Sequence, residues 1–350
     1  MTIEEIKKQV LVDSLEKGQP YSFIWQNEHL GDNIILLCLG GSYAYGTNVE
    51  TSDVDVRGCA LNKKAEILLG HPFEQVQDSP TDTTIYSFTK LINLLVNVNP
   101  NTIELLGCKP EHYLYLSKVG EQLIANRDMF LSRKCINSFG GYSRMQLYKL
   151  WQREKHAMGQ AQLETHILKT LDSVSKSFPE DFSAVPGDAI KLYIDKAVNP
   201  EMETEIFMDV NLTHYPLRDY AGMWNTLQNT VRSYNSVGKR NSHAIEHGKI
   251  GKHMMHLYRL YLMCFDILEK GEINTYREKE HDELMAIRNG KYITEDNAVV
   301  PEFYEMVDEL EKRLDYAKEN TSLPEKPDMK RINDFVCSIN EQIVRGDLNV

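Results

Sequence analysis

The chain has 350 residues, of which 42% are hydrophobic and 26% charged, and its formal net charge is −12. This length and composition are typical of a globular protein with one large domain or two of ordinary size, and they exclude a disordered or fibrous chain. The acidic balance repels a phosphate backbone at long range. It therefore disfavours sequence-independent binding to long nucleic acid, without excluding a local basic pocket.

The amino-terminal residues and the cysteines indicate the compartment. The first residues, MTIEEIKKQVLVDSLEKG, carry charges of both signs and lack the apolar centre of a signal peptide. The most apolar run, residues 34–39, is too short to cross a bilayer. The six cysteines are scattered without a Cys-x-x-Cys pair, which predicts buried reduced thiols. We therefore expect a cytoplasmic protein with no membrane partner.

The amino-terminal part alternates between short apolar runs and helical stretches. Residues 33–39 form a continuous apolar run ended by Gly40 and Gly41, which is typical of a central buried strand. Residues 52–60 alternate and predict a second strand, and residues 83–86 predict a third. A helix is expected over 88–98, because Asn-Pro-Asn follows it and stops it, and another begins at Thr102.

From Tyr113 onward the apolar residues recur mostly at helical period. This period predicts helices over residues 138–156, 161–176, 218–236, 246–269, 300–318 and 328–344. Residues 177–203 contain three prolines and predict an irregular segment, and residues 321–328 predict a connector. The expected fold class is α+β, with a small mixed-sheet module over residues 1–110 and a larger all-helical domain over residues 111–350.

Two aspartates are the first candidates for chemistry. Side chains alternate along a strand, so Asp53, Asp55 and Arg57 share one face while Val54 and Val56 face the core. Carboxylates spaced in this way can converge on one hard cation, or on two ions about 3.5–4 Å apart. Because aspartate is a poor strand former, its double occurrence favours a metal site. A solvent-facing edge strand with two hydrated acids is the alternative.

A glycine-rich turn precedes the aspartates. Gly40, Gly41 and Ser42 end the first strand and Gly46 follows, so that backbone N–H groups can approach a phosphate without obstruction. Taken alone, such a turn is more often structural than phosphate-binding. Its combination with paired carboxylates about a dozen residues later is more specific.

These residues resemble a known family. Gly41-Ser42, Gly46 and Ser52-Asp53-x-Asp55 are similar to the motif of the DNA polymerase β-like nucleotidyltransferase superfamily. The fuller pattern resembles its bacterial and phage branch that is associated with RNA repair. That pattern comprises GSYAYGT, SDVDVRG, an Asn-Pro-x-x-x-Glu segment and a late Lys-His-x-x-His-x-x-Arg helix. The resemblance implies that Gly41, Ser42 and Gly46 bind a nucleoside triphosphate, and that Asp53 and Asp55 bind Mg²⁺ or Mn²⁺.

The resemblance also implies a third carboxylate on a neighbouring strand. Asp82, which opens the predicted strand 83–86, best matches that position, where it would bind metal and help to position and deprotonate the acceptor hydroxyl. Asp78 is the fallback. Without the resemblance, either would be an ordinary turn residue. Glu104 either supports the site from outside or is a buried salt-bridge partner, and we favour the second interpretation.

Basic residues fall on one face of the predicted helix 246–269. At about 100° per residue, an arc of about 120° holds Lys249, Lys252, His253, His256 and Arg259. If this face is turned toward the cleft, then Lys252, His256 and Arg259 would bind the nucleotide and offset its charge. A solvated face is the alternative. A zinc site is disfavoured because no acidic co-ligands are evident nearby.

The sequence therefore predicts a metal-dependent nucleotidyltransferase. It would move a nucleoside monophosphate from a nucleoside triphosphate, ATP by default, to an acceptor hydroxyl and release pyrophosphate. The acceptor stays open between a protein side chain, a tRNA or other RNA end, and a small molecule. A catalytically silent nucleotide-binding or toxin–antitoxin interaction module is the alternative, and the joint presence of Asp53 and Asp55 argues against it.

Overall fold

The structure of the chain is a computed structural model, and it divides into two compact units. The first unit comprises Met1–Gln146, Lys252–Tyr292 and Val300–Val350, and the second comprises Leu147–Gly251 and Ile293–Val299. The structure is described over residues 1–140, 189–196, 204–229, 250–294 and 299–348, and at positions 143, 168, 171, 175, 178, 182, 185 and 198. The expected boundary near residue 110 falls inside the first unit.

The first unit is built on a five-stranded mixed sheet with the strand order β3-β4-β2-β1-β5. Its strands are β1 (Ile34–Leu39), β2 (Val56–Ala60), β3 (Gln75–Asp78), β4 (Thr83–Ser87) and β5 (Tyr113–Leu116). β1 is buried along its whole length, as its continuous apolar sequence predicts. β2 and β4 are parallel, and the other neighbours are antiparallel.

Helices make up much of the rest of the first unit, which the helix beginning at Ile250 enters at Lys252. They span Ile3–Leu11, Phe23–Gln26, Gly41–Tyr45, Lys64–Leu69, Phe88–Val96, Pro100–Ile103, Lys118–Ala125, Ile250–Phe265, His281–Arg288, Pro301–Asn320 and Met329–Arg345. A π-helical segment, Asp266–Lys270, continues Ile250–Phe265. Short 3₁₀ turns span Asp13–Leu15, Gly31–Asn33, Glu104–Gly107, Pro110–His112 and Arg127–Phe130. No helix in the described ranges has the length and apolar character needed to cross a membrane.

The predicted second strand is too long by four residues. β2 begins at Val56, whereas residues 52–55 lie outside any strand. The reason is that β1, its antiparallel partner, ends at Leu39, opposite Val56, and the chain then turns into a helix at Gly41. The expected alternation still places the valines correctly, because Val56 is buried in the core and Val54 packs against it.

The α+β fold class is confirmed, although the part after residue 110 is not purely helical. In the second unit, β6 (Ile190–Lys196) and β7 (Thr204–Val210) form an antiparallel pair. They pack near a helix over residues 217–229, and their shared core includes Phe178, Met223 and Leu227. The expected irregular segment therefore contains a strand, whose apolar residues alternate. The predicted helices 138–156, 161–176 and 218–236 lie partly outside the described residues.

The long carboxy-terminal helices agree with the sequence pattern. The expected helices over 246–269, 300–318 and 328–344 correspond to Ile250–Phe265 with its π-helical extension, Pro301–Asn320 and Met329–Arg345. All six cysteines are free, and four of them are buried. Strand β5 and the helix His281–Arg288 are absent from the predictions, because each is short and carries a weak period.

Candidate functional site

The glycine turn after β1 lies directly against an aspartate. The Gly40 N–H donates to the Asp55 carbonyl at 2.8 Å, and a Cβ placed on Gly41 would lie 1.7 Å from Asp55 Oδ2. Gly41 has φ +53°, in the left-handed region that favours glycine. Glycine is therefore required here twice, by the backbone conformation and by the closeness of the carboxylate. We call the helix Gly41–Tyr45 the turn helix.

Ser42 and Gly46 occupy different parts of the turn helix. Ser42 is buried in its first turn, and its carbonyl accepts a hydrogen bond from the Thr47 N–H at 2.9 Å. Gly46 ends the helix at φ +76°, where a Cβ would lie 2.5 Å from the Tyr276 ring. The geometry of Gly46 is thus explained by the turn and by close packing.

The sheet topology brings Asp55 and Asp82 together. β2 and β4 are parallel, and Val56 stands opposite Thr83. Asp55 and Asp82 immediately precede these two residues, so their carboxylates meet at one edge of the sheet. Arg57 bridges them, with its Nη2 atom 3.3 Å from Asp55 Oδ1 and 3.2 Å from Asp82 Oδ1. Tertiary structure therefore selects Asp82 as the neighbour of Asp55.

The fallback residue Asp78 has another role. Its Oδ2 atom accepts hydrogen bonds from the Thr81 N–H at 3.1 Å and from the Thr81 hydroxyl at 2.7 Å. This closes the turn between β3 and β4, as the turn composition of this segment predicts. Asp53 is exposed on the segment before β2.

The Asp55–Asp82 pair titrates as one unit. Burial first, and then the side-chain hydrogen bond to Asp82, raise the pKa of Asp55 to about 7 against the lowering effect of Arg57. The same hydrogen bond lowers the pKa of Asp82. Two close carboxylates cannot both ionise freely, so the pair holds a shared proton at mildly acidic pH. Lys252 acts on both groups and favours their charged forms.

The donor set at this edge suits a hard divalent cation in part. Carboxylate oxygens are the ligands that Mg²⁺ and Mn²⁺ prefer, and Asp55 and Asp82 present them together. A cation already lies between them, namely the Arg57 guanidinium. Within the residues that the structure describes, no group of three or more His, Cys, Asp or Glu side chains is arranged to hold a metal ion. Asp53 is therefore not part of a three-carboxylate cluster in this arrangement.

Arg259 on the helix Ile250–Phe265, here called the basic helix, is a buried ion-pair partner. Its Nη1 atom lies 3.3 Å from Glu104 Oε2, and the two side chains are only 5% and 9% exposed. Its guanidinium also stacks on the Tyr45 ring, 3.5 Å from the ring centre, and the Tyr45 hydroxyl donates to both Glu104 oxygens at 3.0 Å. The favoured interpretation of Glu104 as a buried salt-bridge partner agrees with this contact. Arg259 thus fixes the turn helix, which carries Tyr45, to the basic helix.

Lys252 and His256 are the other described candidates on the basic helix. Lys252 is exposed, and its charge acts on Asp55 and Asp82. His256 contacts the Tyr45 ring edge-on, with 6.0 Å between ring centres. Burial and the neighbouring cations, Arg259 first, hold the pKa of His256 well below its usual value. His256 is therefore neutral at neutral pH. Lys249, on the same predicted face, lies outside the described residues.

Some residues of this region carry no local signal in the sequence. The Arg277 N–H donates to the Tyr45 carbonyl at 3.1 Å, and Arg288 donates to the Thr47 carbonyl. Each lies more than two hundred residues from its partner in the chain, so motif spacing does not reveal them. The two-residue spacing already places Arg57 on the same face as Asp55, but its bridging contact with Asp82 was not predicted.

The segment that contains the glycine turn and the aspartates also matches a known protein family. Residues 12–171 match the RNA repair pathway DNA polymerase beta family, RlaP. The match covers the turn helix, both aspartates before β2, Asp82 and Glu104, and it confirms the resemblance over that segment. The basic helix lies outside the matched range. Searches of curated proteins and of solved structures find no significant match.

Proposed function

We propose that the chain is a metal-dependent nucleotidyltransferase that moves a nucleoside monophosphate, by default from ATP, to an acceptor hydroxyl. The match to the RlaP family supports nucleotidyl transfer as the general class of reaction. The observation that carries the proposal is the meeting of Asp55 and Asp82 beside the Gly41 turn, because a cation ligand pair and a phosphate-accessible backbone then lie within one small region.

In this proposal Asp55 and Asp82 hold a divalent cation, and the exposed Asp53 completes its ligands. A bound Mg²⁺ or Mn²⁺ would neutralise charge on the transferred and leaving phosphates and lower the pKa of the acceptor hydroxyl. Asp82 lies at the exposed end of the pair, where its carboxylate can also accept the proton of that hydroxyl. Arg57 pairs with both carboxylates, and a bound cation would replace its guanidinium between them.

The turn helix and the basic helix would bind the triphosphate. The N–H groups of Gly41 and Ser42 precede the first hydrogen bond of the turn helix, which Ala44 donates to Gly40, and so they are available to phosphate oxygens. Lys252 supplies a positive charge beside the carboxylates, and neutral His256 supplies a hydrogen-bonding nitrogen. Arg259 acts indirectly in this proposal, because its guanidinium is buried against Glu104.

The acceptor is an RNA end in our proposal, because the description of the matched family names an RNA repair pathway. A protein side chain or a small molecule would be identified by the same experiment. The purified chain is incubated with α-³²P-labelled nucleoside triphosphates, Mg²⁺ and cell lysate, and the labelled products are treated with ribonuclease or protease. We expect label that ribonuclease removes and that is absent when Asp55→Asn replaces the wild-type chain.

Each result of this experiment has a defined meaning. Label that only protease removes supports nucleotidyl transfer to protein and contradicts the RNA acceptor. Equal labelling by the wild-type chain and by Asp55→Asn contradicts the assigned metal site. Labelling with none of the four nucleotides favours the alternative of a silent nucleotide-binding or toxin–antitoxin module.

A further inference from the structure

Arg288 differs from most other arginines of the protein. Among the arginines that the structure describes, Arg127 and Arg288 alone lie outside every ion pair, although the chain has an excess of acidic residues. Arg127 is exposed, and its guanidinium contacts only the Ile124 carbonyl at 3.5 Å. Arg288 is half-buried, and burial lowers its pKa because no carboxylate compensates it. A half-buried cation without a counter-ion is costly unless an anion joins it.

Arg288 is placed at the end of the turn helix. Its Nη1 atom donates to the carbonyl of Thr47, the residue after Gly46. One contact with a neutral carbonyl leaves most of the five N–H donors of a guanidinium available to a ligand. The long separation of 241 residues between Arg288 and Thr47 shows that packing, and not local sequence, creates this position.

Basic groups link the carboxylate pair to Arg288 electrostatically. Lys252 acts electrostatically on Asp55 and Asp82 and also on His256. Arg288 acts on His256 but is not among the main influences on the two carboxylates. Lys252 is therefore within electrostatic reach of both the carboxylate pair and His256, and Arg288 is within reach of His256. Along the basic helix, Lys252 and His256 are separated by about 6 Å, since each residue rises about 1.5 Å.

Buried donors around the same segment also lack partners. In the described part of the chain, unpartnered buried atoms include Thr47 Oγ1, Arg259 Nε, and Nε and Nη2 of Arg277. Thr47 accepts the Arg288 contact through its carbonyl. The backbone N–H of Arg277 donates to the Tyr45 carbonyl, whereas its guanidinium pairs with Asp266 through Nη1. Buried polar groups are almost always satisfied, so the unpartnered Thr47 hydroxyl beside the Arg288 contact indicates a missing polar or anionic partner.

We propose that Arg288 binds the terminal phosphate of the nucleoside triphosphate and makes the site prefer a triphosphate to a diphosphate. The inference rests on the proposed function, which places the phosphate undergoing attack at Asp55 and Asp82. The remaining phosphates then extend from this end past Lys252 toward Arg288. A planar guanidinium suits this task because it can donate two parallel hydrogen bonds to one phosphate.

The test uses inorganic tripolyphosphate and pyrophosphate with Mg²⁺, so that no nucleobase has to be chosen. Calorimetry measures the affinity of the full chain for each. We expect the wild-type chain to prefer tripolyphosphate by about tenfold or more, the effect of one charge-assisted hydrogen bond. Arg288→Gln should lose this preference while pyrophosphate affinity changes less than about twofold. Arg288→Lys keeps the positive charge but lacks the paired N–H donors of a guanidinium, so it should retain part of the preference for tripolyphosphate.

Arg127→Gln is the matched control, because it removes the same charge from an arginine that also contacts only a carbonyl. It should behave as the wild-type chain does. The inference is overturned if Arg288→Gln weakens the binding of both anions equally, or weakens the binding of neither. It is also overturned if Arg288→Gln lowers the melting temperature and Arg288→Lys shows no selective change in anion affinity. If Arg288→Gln leaves the preference for tripolyphosphate unchanged while nucleotide labelling still depends on Asp55, the inference about Arg288 fails and the proposed function stands. If the wild-type chain binds neither anion, the proposed triphosphate site fails with it.

Discussion

Replacing Asp55 by asparagine tests the carboxylate pair through stability as well as through activity. The pKa of Asp55 is raised from an ordinary value of 3.8 to about 7, chiefly by burial, so the ionised group destabilises the folded chain at neutral pH. One pKa unit corresponds to about 1.4 kcal/mol, so this shift sets an upper limit of about 4 kcal/mol. Asparagine keeps the shape and removes the charge, but it also removes a partner of Arg57. We therefore expect a gain of about 1–3 kcal/mol in unfolding free energy at pH 7.5.

The pH dependence follows from the direction of the shift. A carboxyl whose pKa is higher in the folded chain stabilises fully below its unfolded pKa, and this contribution is lost as the pH rises toward the folded value. The wild-type chain should therefore lose stability between about pH 4 and pH 7 from this group. Asp55→Asn should not show this loss, so its advantage should grow over the same range. Urea unfolding at pH 4.5, 6 and 7.5, followed by circular dichroism, measures this difference.

Asp53→Asn is the matched control, because its side chain is exposed and two residues away. Its stability should stay within about 0.5 kcal/mol of wild type at every pH. Both variants should lose nucleotidyl transfer if both carboxylates hold the cation. A less stable Asp55→Asn at pH 7.5, or a gain that is the same at pH 4.5 and 7.5, would refute the assignment of Asp55 as a buried carboxylate with a raised pKa.

Three further predictions concern the surroundings of this pair. Arg259→Ala leaves Glu104 buried and uncompensated, so the unfolding free energy measured by calorimetry should fall by about 3–5 kcal/mol. Arg331→Ala is the control: it breaks an exposed ion pair and should lower the unfolding free energy by less than about 1 kcal/mol. Gly41→Ala forces its Cβ onto the Asp55 carboxylate and should abolish Mn²⁺ binding measured by electron paramagnetic resonance. Gly70→Ala is the control: Gly70 also has a positive φ but has open space around it, so this change should only lower stability. Val56→Ala should lower the unfolding free energy by about 1–3 kcal/mol and leave Mn²⁺ affinity unchanged, because this valine faces the core. If Val56→Ala lost Mn²⁺ binding as completely as Gly41→Ala, the separation of the two faces would be contradicted.

The local features of the fold could be predicted from the sequence. β1 is recognisable as a buried strand because all its residues are apolar, and the long carboxy-terminal helices are recognisable from their period. The glycine turn and the Asp-x-Asp spacing likewise suffice to predict the resemblance that the family match over residues 12–171 confirms. The strand 52–60 was predicted too long because alternation continues through Asp53, whereas strand pairing depends on a partner that ends at Leu39.

Only the tertiary structure decided which side chains share the site. The parallel register of β2 and β4 places Asp82 beside Asp55 and leaves Asp78 in a turn. The ion pair between Glu104 and Arg259 joins residues 155 positions apart. Sequence period and composition report on neighbours within one or two turns or strands, because propensity and alternation are local properties. Contacts between distant segments depend on how whole elements pack. The sequence by itself therefore predicted the candidate chemistry, and the fold determined which of the candidate residues lie together.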